Sequence, residues 1–397
     1  MLRYTIRIAV ASIVIGLLAG AALNGAEPTP AGAIDFNRAR ELMQKQRAQQ
    51  PLTPEEQQYL DRARQEFQKR NGQTQGQAPN AAGGAPQQAP AGKDTTGLKP
   101  LPDMTAADRY KGEDGGLYGG GSNAPPAALQ AAAQQELAAI QPLDADGRPT
   151  ATGRIVFISL SMSNATMEFS AFKPLADADP QKSPLLTIVD GAQGGMAMAQ
   201  WAGTQDAKPQ QARPWQEAER RLQAAGVTPR QVQVAWIKLA NVRPQGELSE
   251  HGKKLERDTV KVLQLAKEHF PNLRLAYLGS RIYGGYASSN LNPEPYAYEG
   301  AFVVRWLILG QLARQPELNW DSALGTVKAP LLLWGPYFWA DGTTPRQADG
   351  LTWQRSDLSP GDGTHPSPAG RQKAANLLLT FFKTDPYARP WFLKPAK

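Results

Sequence analysis

The segment Asp362-Gly363-Thr364-His365-Pro366 joins a histidine to a carboxylate three residues before it, which is the pairing that proton transfer to and from a nucleophile requires. The imidazole can accept a proton, and the carboxylate can fix its tautomer and stabilise the imidazolium that forms. The chain holds 3 histidines. His251 lies in the polar run Ser249-Glu250-His251-Gly252-Lys253, and His269 ends a charged helical segment before Phe270-Pro271, so both are weaker candidates. Ser367-Pro368 read as an N-cap and a first-turn proline, which places His365 just before a helix start. A serine nucleophile must be held at the end of a rigid strand. The apolar, β-branched run from Ile155 to Ile158 reads as a buried strand that breaks into the small polar turn Ser159-Leu160-Ser161-Met162-Ser163-Asn164. Ser161 is the serine this reading selects, with Ser159 and Ser163 next in line.

With these residues the chain resembles the SGNH/GDSL hydrolase family, serine esterases and lipases with four short sequence blocks on a flavodoxin-like fold. Ser159-Leu160-Ser161-Met162 stands where the family's first block reads Gly-Asp-Ser-Leu; it keeps the serine and changes both residues before it. Val189-Asp190-Gly191-Ala192-Gln193-Gly194-Gly195 matches the second block, Trp236-Ile237-Lys238-Leu239-Ala240-Asn241 the third, and Asp362 with His365 the fourth. The resemblance spans about residues 150 to 385. It implies Ser161, His365 and Asp362 as the triad. It also implies an oxyanion hole made by the backbone amides of Ser161 and Gly195 and the side-chain amide of Asn241. The expected fold is a three-layer α/β/α arrangement with a five-stranded parallel sheet.

The hydropathy pattern agrees on the fold class. From residue 154, apolar stretches near 154–159, 185–190, 232–238, 273–279 and 330–334 alternate with amphipathic segments near 213–225, 247–269, 296–314 and 367–383. That alternation predicts a parallel sheet with helices on both faces, and ligands then bind beyond the carboxyl ends of the strands. Ser161, Gly195 and Asn241 all fall there. So do Arg281 after the fourth strand and the run from Trp334 to Trp339 after the fifth, so Arg281, Trp334, Tyr337 and Trp339 are the expected substrate-binding side chains. Tyr283, Glu294 and Tyr296 are alternatives for the pocket lining, with loop hydrogen bonding as their plainer role.

Outside this core the 397 residues are uneven. Arg3 and Arg7, the apolar run from Ile8 to Leu23 and small residues around Gly25-Ala26 read as a signal peptide over residues 1–26, with an uncleaved membrane anchor as the alternative. Residues 34–71 read as a helical hairpin, one helix starting at Thr53-Pro54. Residues 72–94, nearly devoid of large apolar side chains, read as a flexible linker. Residues 95–153 read as an irregular wrapping segment containing the glycine-rich stretch Leu117–Asn123, and residues 154–397 as the hydrolase domain. The absence of cysteine rules out disulfides and thiol catalysis. The net charge of +7 is dispersed among isolated Arg and Lys, not gathered into the stripe that a nucleic-acid binder needs. Neither a cofactor nor a metal site is expected, since the histidines are scattered. The leading expectation is an exported esterase acting on an O-acyl group of a small molecule or polysaccharide, such as an O-acetylated carbohydrate. It touches a membrane only if the N-terminal anchor stays. The alternative is a catalytically weakened binding or scaffold module at the cell surface.

Overall fold

A computed structural model describes residues 42, 45, 51–73, 92–204 and 213–395. Two compact units divide the chain, Met1–Gln87 and Gln88–Lys397. In the first, helix α1 spans Pro54–Gln73. Its start is fixed reciprocally: the Glu56 amide donates to Thr53 Oγ1 at 3.2 Å while the Thr53 amide donates to the Glu56 carboxylate at 2.9 Å. The segment at 1–26 and nearly all of the linker and of the hairpin's first arm lie outside the described residues. Among the described residues, no helix is long and apolar enough to cross a membrane.

The second unit is built on five strands: β1 Ile155–Leu160, β2 Leu186–Asp190, β3 Val232–Lys238, β4 Leu275–Gly279 and β5 Leu331–Trp334. They form one all-parallel sheet in the order β2-β1-β3-β4-β5, as the alternating pattern predicts. β1, β3, β4 and β5 are buried along their whole length, which is why their sequences are continuous apolar runs and not alternating ones. The helices are α2 Ala127–Ala138, α3 Ser163–Ala178, α4 Met198–Ala202, α5 Pro214–Ala224, α6 Lys253–His269, α7 Tyr296–Leu312, α8 Pro368–Thr384 and α9 Arg389–Phe392. α3 and α8 pack closely on one side, and α4, α6 and α7 pack together as the other layer.

An aromatic cluster ties the first layer to the sheet. Phe157 at the middle of β1 meets Phe169 of α3, Phe382 of α8 and Trp391 of α9, with ring centroids 5.3, 4.7 and 5.3 Å apart. Edge-on contacts of this kind add about 0.5–1.5 kcal/mol per pair to area burial.

The segment before α2 is a strap with defined anchors. Asp341, 2% exposed in the loop after β5, accepts from the Thr96 amide at 2.7 Å, Thr96 Oγ1 at 2.6 Å and the Gly97 amide at 2.8 Å, and also from Thr95 Oγ1. Farther along, the Leu101 amide donates to the Tyr337 hydroxyl at 3.1 Å and the Trp334 indole donates to the Leu117 carbonyl at 2.9 Å. Arg305 of α7 binds Glu113 and Asp114. The glycine-rich turn thus wraps the β5 side of the sheet.

Removing the Asp341 carboxylate strands several donors at once. Asp341→Ala should destabilise the second unit by about 3 kcal/mol or more in urea titration, with accelerated hydrogen exchange at the Thr96 and Gly97 amides. Unchanged exchange there would mean that the strap is held elsewhere.

Candidate active site

At the carboxyl end of β1 the chain turns into α3 within two residues, and this turn decides which serine can do chemistry. Ser161 is fully buried, and its hydroxyl donates to the Lys238 carbonyl on the neighbouring strand. Its own carbonyl accepts from the Gln193 amide at 2.8 Å and from the Trp201 indole at 3.2 Å. With φ at 155°, Ser161 adopts backbone geometry that costs a residue bearing a side chain, and these bonds hold it there. The serine that meets His365 is not Ser161 but Ser163, the first residue of α3, which places Oγ 2.7 Å from His365 Nε2.

His365 is oriented from its other nitrogen, with Nδ1 2.5 Å from an Asp362 carboxylate oxygen. The second Asp362 oxygen accepts the amides of Thr364 at 2.9 Å and His365 at 3.0 Å. Partial burial alone would raise the Asp362 carboxyl, but bonds from the His365 ring and from these amides outweigh it and bring it down to about 2. The carboxylate is ionised at any ordinary pH. Ser367 caps α8 by accepting from the Gly370 amide at 3.3 Å, so the histidine lies two residues before the helix cap, as Ser367-Pro368 predict.

Ser163, Gly195, Asn241, Arg281 and His365 all line one cavity of about 230 Å³, completed by Met162, Ala197, Leu291 and neighbouring residues. Gly195 has φ 81°, and a Cβ built on it would meet nothing within 4 Å, so its backbone is open to the cavity. Among the described residues, the amides of Ser163 and Gly195 have no hydrogen-bond acceptor. The Ser163 amide also opens a 16-residue helix with no side-chain cap, so the positive end of the α3 dipole lies at the serine. The Asn241 side chain is held at both ends: Oδ1 accepts the Ala199 amide at 2.9 Å and Nδ2 donates to Asp258 at 2.7 Å. Its second N–H remains for the cavity. Ser163, Gly195 and Asn241 thus supply three N–H groups at one place, with Ser163 replacing Ser161.

Beneath the turn lies a buried charge pair. Lys238 Nζ is 2.6 Å from both oxygens of Glu168, and neither side chain has any exposure. Burial draws Lys238 down to about 8 and pushes Glu168 up, against their mutual attraction. Arg281 is also buried, and burial lowers it. Its Nη2 donates to the Thr364 carbonyl at 3.3 Å, as Asn164 Nδ2 does at 3.0 Å, so two side chains brace the His365 loop. The Arg281 Nε and the Oδ1 atoms of Asn164 and Asn292 have no protein partner among the described residues.

The expected aromatic platform does not form here. Trp334 and Tyr337 line a separate cavity of about 440 Å³ beside the strap, and Trp339 is fully buried with its indole donating to Glu294 at 2.7 Å. Glu294 also accepts the Gly284 and Tyr298 amides, and the Tyr283 hydroxyl donates to the Lys93 carbonyl, so both brace loops. Of the expected substrate-binding residues, Arg281 alone lines the cavity of Ser163. Asn164, Leu291 and Asn292 line it without having been expected. Asn164 follows the serine directly and was the most readable of them.

No protein-family model matches the chain, and no curated protein matches it. Among solved structures it is similar to protein YxiM of Bacillus subtilis, with 11% identity over 59% of this chain and 57% of that one and a TM-score of 0.31. It is also similar to a proposed acylhydrolase of Bacteroides fragilis, with 15% identity over 65% of this chain and 96% of that one and a TM-score of 0.30. The chain spans a little over half the length of the Bacillus subtilis protein.

Gly363, between the two acid–base residues, has φ 58°, and a Cβ there would collide with the Tyr286 carbonyl oxygen. Gly363→Ala should therefore cost about 2 kcal/mol or more in urea denaturation and displace the His365 ring. A variant of wild-type stability would show that the loop adjusts freely.

Proposed function

We propose that the chain is an exported serine esterase that removes a short O-acyl group, with Ser163 as nucleophile, His365 as general base and acid, and Asp362 as the orienting carboxylate. The observation that carries this reading is the unbroken relay from Ser163 Oγ through the His365 ring to Asp362 at the wall of a cavity. His365 Nε2 takes the Ser163 proton as Oγ attacks the ester carbonyl carbon. The amides of Ser163 and Gly195 and the Asn241 Nδ2–H meet the oxyanion, each contributing about 3 kcal/mol of barrier lowering. His365 then returns its proton to the departing alcohol. Water repeats the sequence on the acyl-enzyme.

The cavity's size supports a short acyl group, since about 230 Å³ lies below the range of roughly 300–1,000 Å³ typical of drug-sized ligands. Ala197, Ala240 and Val242 give the acyl group an apolar wall. Asn164, Asn292 and Arg281 add polar lining that suits a hydroxyl-rich alcohol, and an O-acetylated carbohydrate meets both demands. Export rests on Arg3, Arg7 and the apolar run that follows them.

Ser163→Ala and His365→Ala should each lower kcat on p-nitrophenyl acetate by roughly 10⁴-fold or more, because the relay acts as a unit. Ser161→Ala should keep a measurable fraction of activity. A phosphonate ester should label Ser163, read by peptide mass. Full activity in Ser163→Ala would sink the assignment, and an inert wild-type protein would favour a binding module.

Turnover of a neutral ester should fall as pH is lowered, because protonated His365 cannot accept the serine proton. Asp362 does not cause that loss: a carboxyl held at about 2 stays ionised until far more acid conditions. Its stabilising contribution, present above the ordinary carboxyl range near ~3.9, is lost only as pH falls toward 2. A rate that stays flat as the pH is lowered to the onset of acid unfolding would exclude a histidine base.

A further inference from the structure

We infer that Asp258, on α6, is a positioning residue that fixes which end of the Asn241 side chain faces the cavity; this inference rests on the esterase reading above. A carboxamide presents a donor and an acceptor of nearly equal shape, and only one orientation serves. With nitrogen toward the cavity it donates to a developing oxyanion; with oxygen there it repels the same charge. Two contacts choose. The Ala199 amide, 2.9 Å from Asn241 Oδ1, can meet only an acceptor. The Asp258 carboxylate, 2.7 Å from Nδ2, can meet only a donor. Both contacts are buried, so a flipped amide would set oxygen against carboxylate and N–H against N–H without water to relieve either.

Asp258 is itself held for this purpose. It is 4% exposed and accepts from Thr204 Oγ1 at 2.6 Å and from Lys254 Nζ at 2.9 Å one turn earlier on α6. Lys254 balances the charge that Asp258 carries into the interior. A hydrogen bond from Nδ2 to an ionised acceptor is also stronger than one to a neutral oxygen, so the amide plane is held more firmly. Asp258 does not line the cavity and touches no reacting atom. It acts through Asn241.

The test is Asp258→Asn, which keeps the side chain's shape but lets it donate as well as accept, so that only the Ala199 amide still opposes a flipped Asn241. On p-nitrophenyl acetate kcat should fall between roughly 10- and 100-fold with KM little changed. The double variant with Asn241→Ala should be no slower than Asn241→Ala alone. If Asp258→Asn proves poorly folded by circular dichroism, Asp258→Ser, whose shorter side chain withdraws the acceptor from Nδ2, carries the same comparison. Wild-type kcat in the folded variant, or a loss that adds in full to that of Asn241→Ala, would overturn the inference. Ser163→Ala separates the two levels: if it remains active the esterase reading fails, whereas if it is inert while Asp258→Asn is silent, only the role of Asp258 fails.

Discussion

The site depends on how β1 is allowed to become α3. A buried parallel strand must stop, reverse its hydrogen bonding and present the first turn of a helix to a cavity, all between Leu160 and Ser163. Lys238 makes that possible from the adjacent strand by using two separate groups. Its carbonyl takes the Ser161 hydroxyl and holds the turn, while its ammonium, buried without exposure, grips Glu168 five residues into α3. One residue therefore fixes both where the strand ends and how the helix is rotated about its axis. Losing either partner of such a pair leaves an uncompensated buried charge, at a cost of about 3–5 kcal/mol. Ser159 Oγ donates to Asp190 at 2.7 Å, and Asp190 also takes Thr166 and Ser170 of α3, so the turn is braced by hydroxyls.

The same buried charges shape the electrostatics above them. The Arg281 guanidinium is buried, close to the Thr364 carbonyl and to the cavity in which negative charge would develop. Fixed charges and the α3 dipole act without reorganising during reaction. That is the physical advantage of burying Arg281 instead of placing a lysine at the rim. The cost is met by Glu168, Glu294 and Asp362, whose negative charges oppose the desolvation of the guanidinium.

Much of this was readable in the sequence. The five strands lie within two residues of the apolar runs that predict them, because strands buried on both faces leave an unambiguous hydrophobic signal. The Asp362–His365 contact was legible for a different reason: the two residues interact within one turn of chain, so spacing alone nearly determines their geometry. The serine that meets His365 was not. Ser159, Ser161 and Ser163 are equally small and polar, and which one reaches His365 is set by where β1 ends, a question of one residue that propensity cannot resolve. α3 was hidden by Pro174 and by Glu168, which reads as a solvent-facing residue until Lys238 is known to lie beneath it. The role expected for Trp334, Tyr337 and Trp339 failed because their partners come from the strap and the loops, more than two hundred residues away for the first two. Asp258 was invisible for a similar reason, since nothing on a helix face reveals which loop it will meet.

The clasp between Asp341 and residues 95–97 also bears on the order in which the protein is made. About 245 residues separate the two halves of that contact. At ordinary synthesis rates, the strap would leave the ribosome roughly 12–50 s before the aspartate that receives it. For most of that interval the strap lacks its β5 surface, because β5 and its loop do not yet exist. The strap is consequently the first part of the second unit to be synthesised and among the last to dock, and a chaperone that shields it has a defined window in which to act.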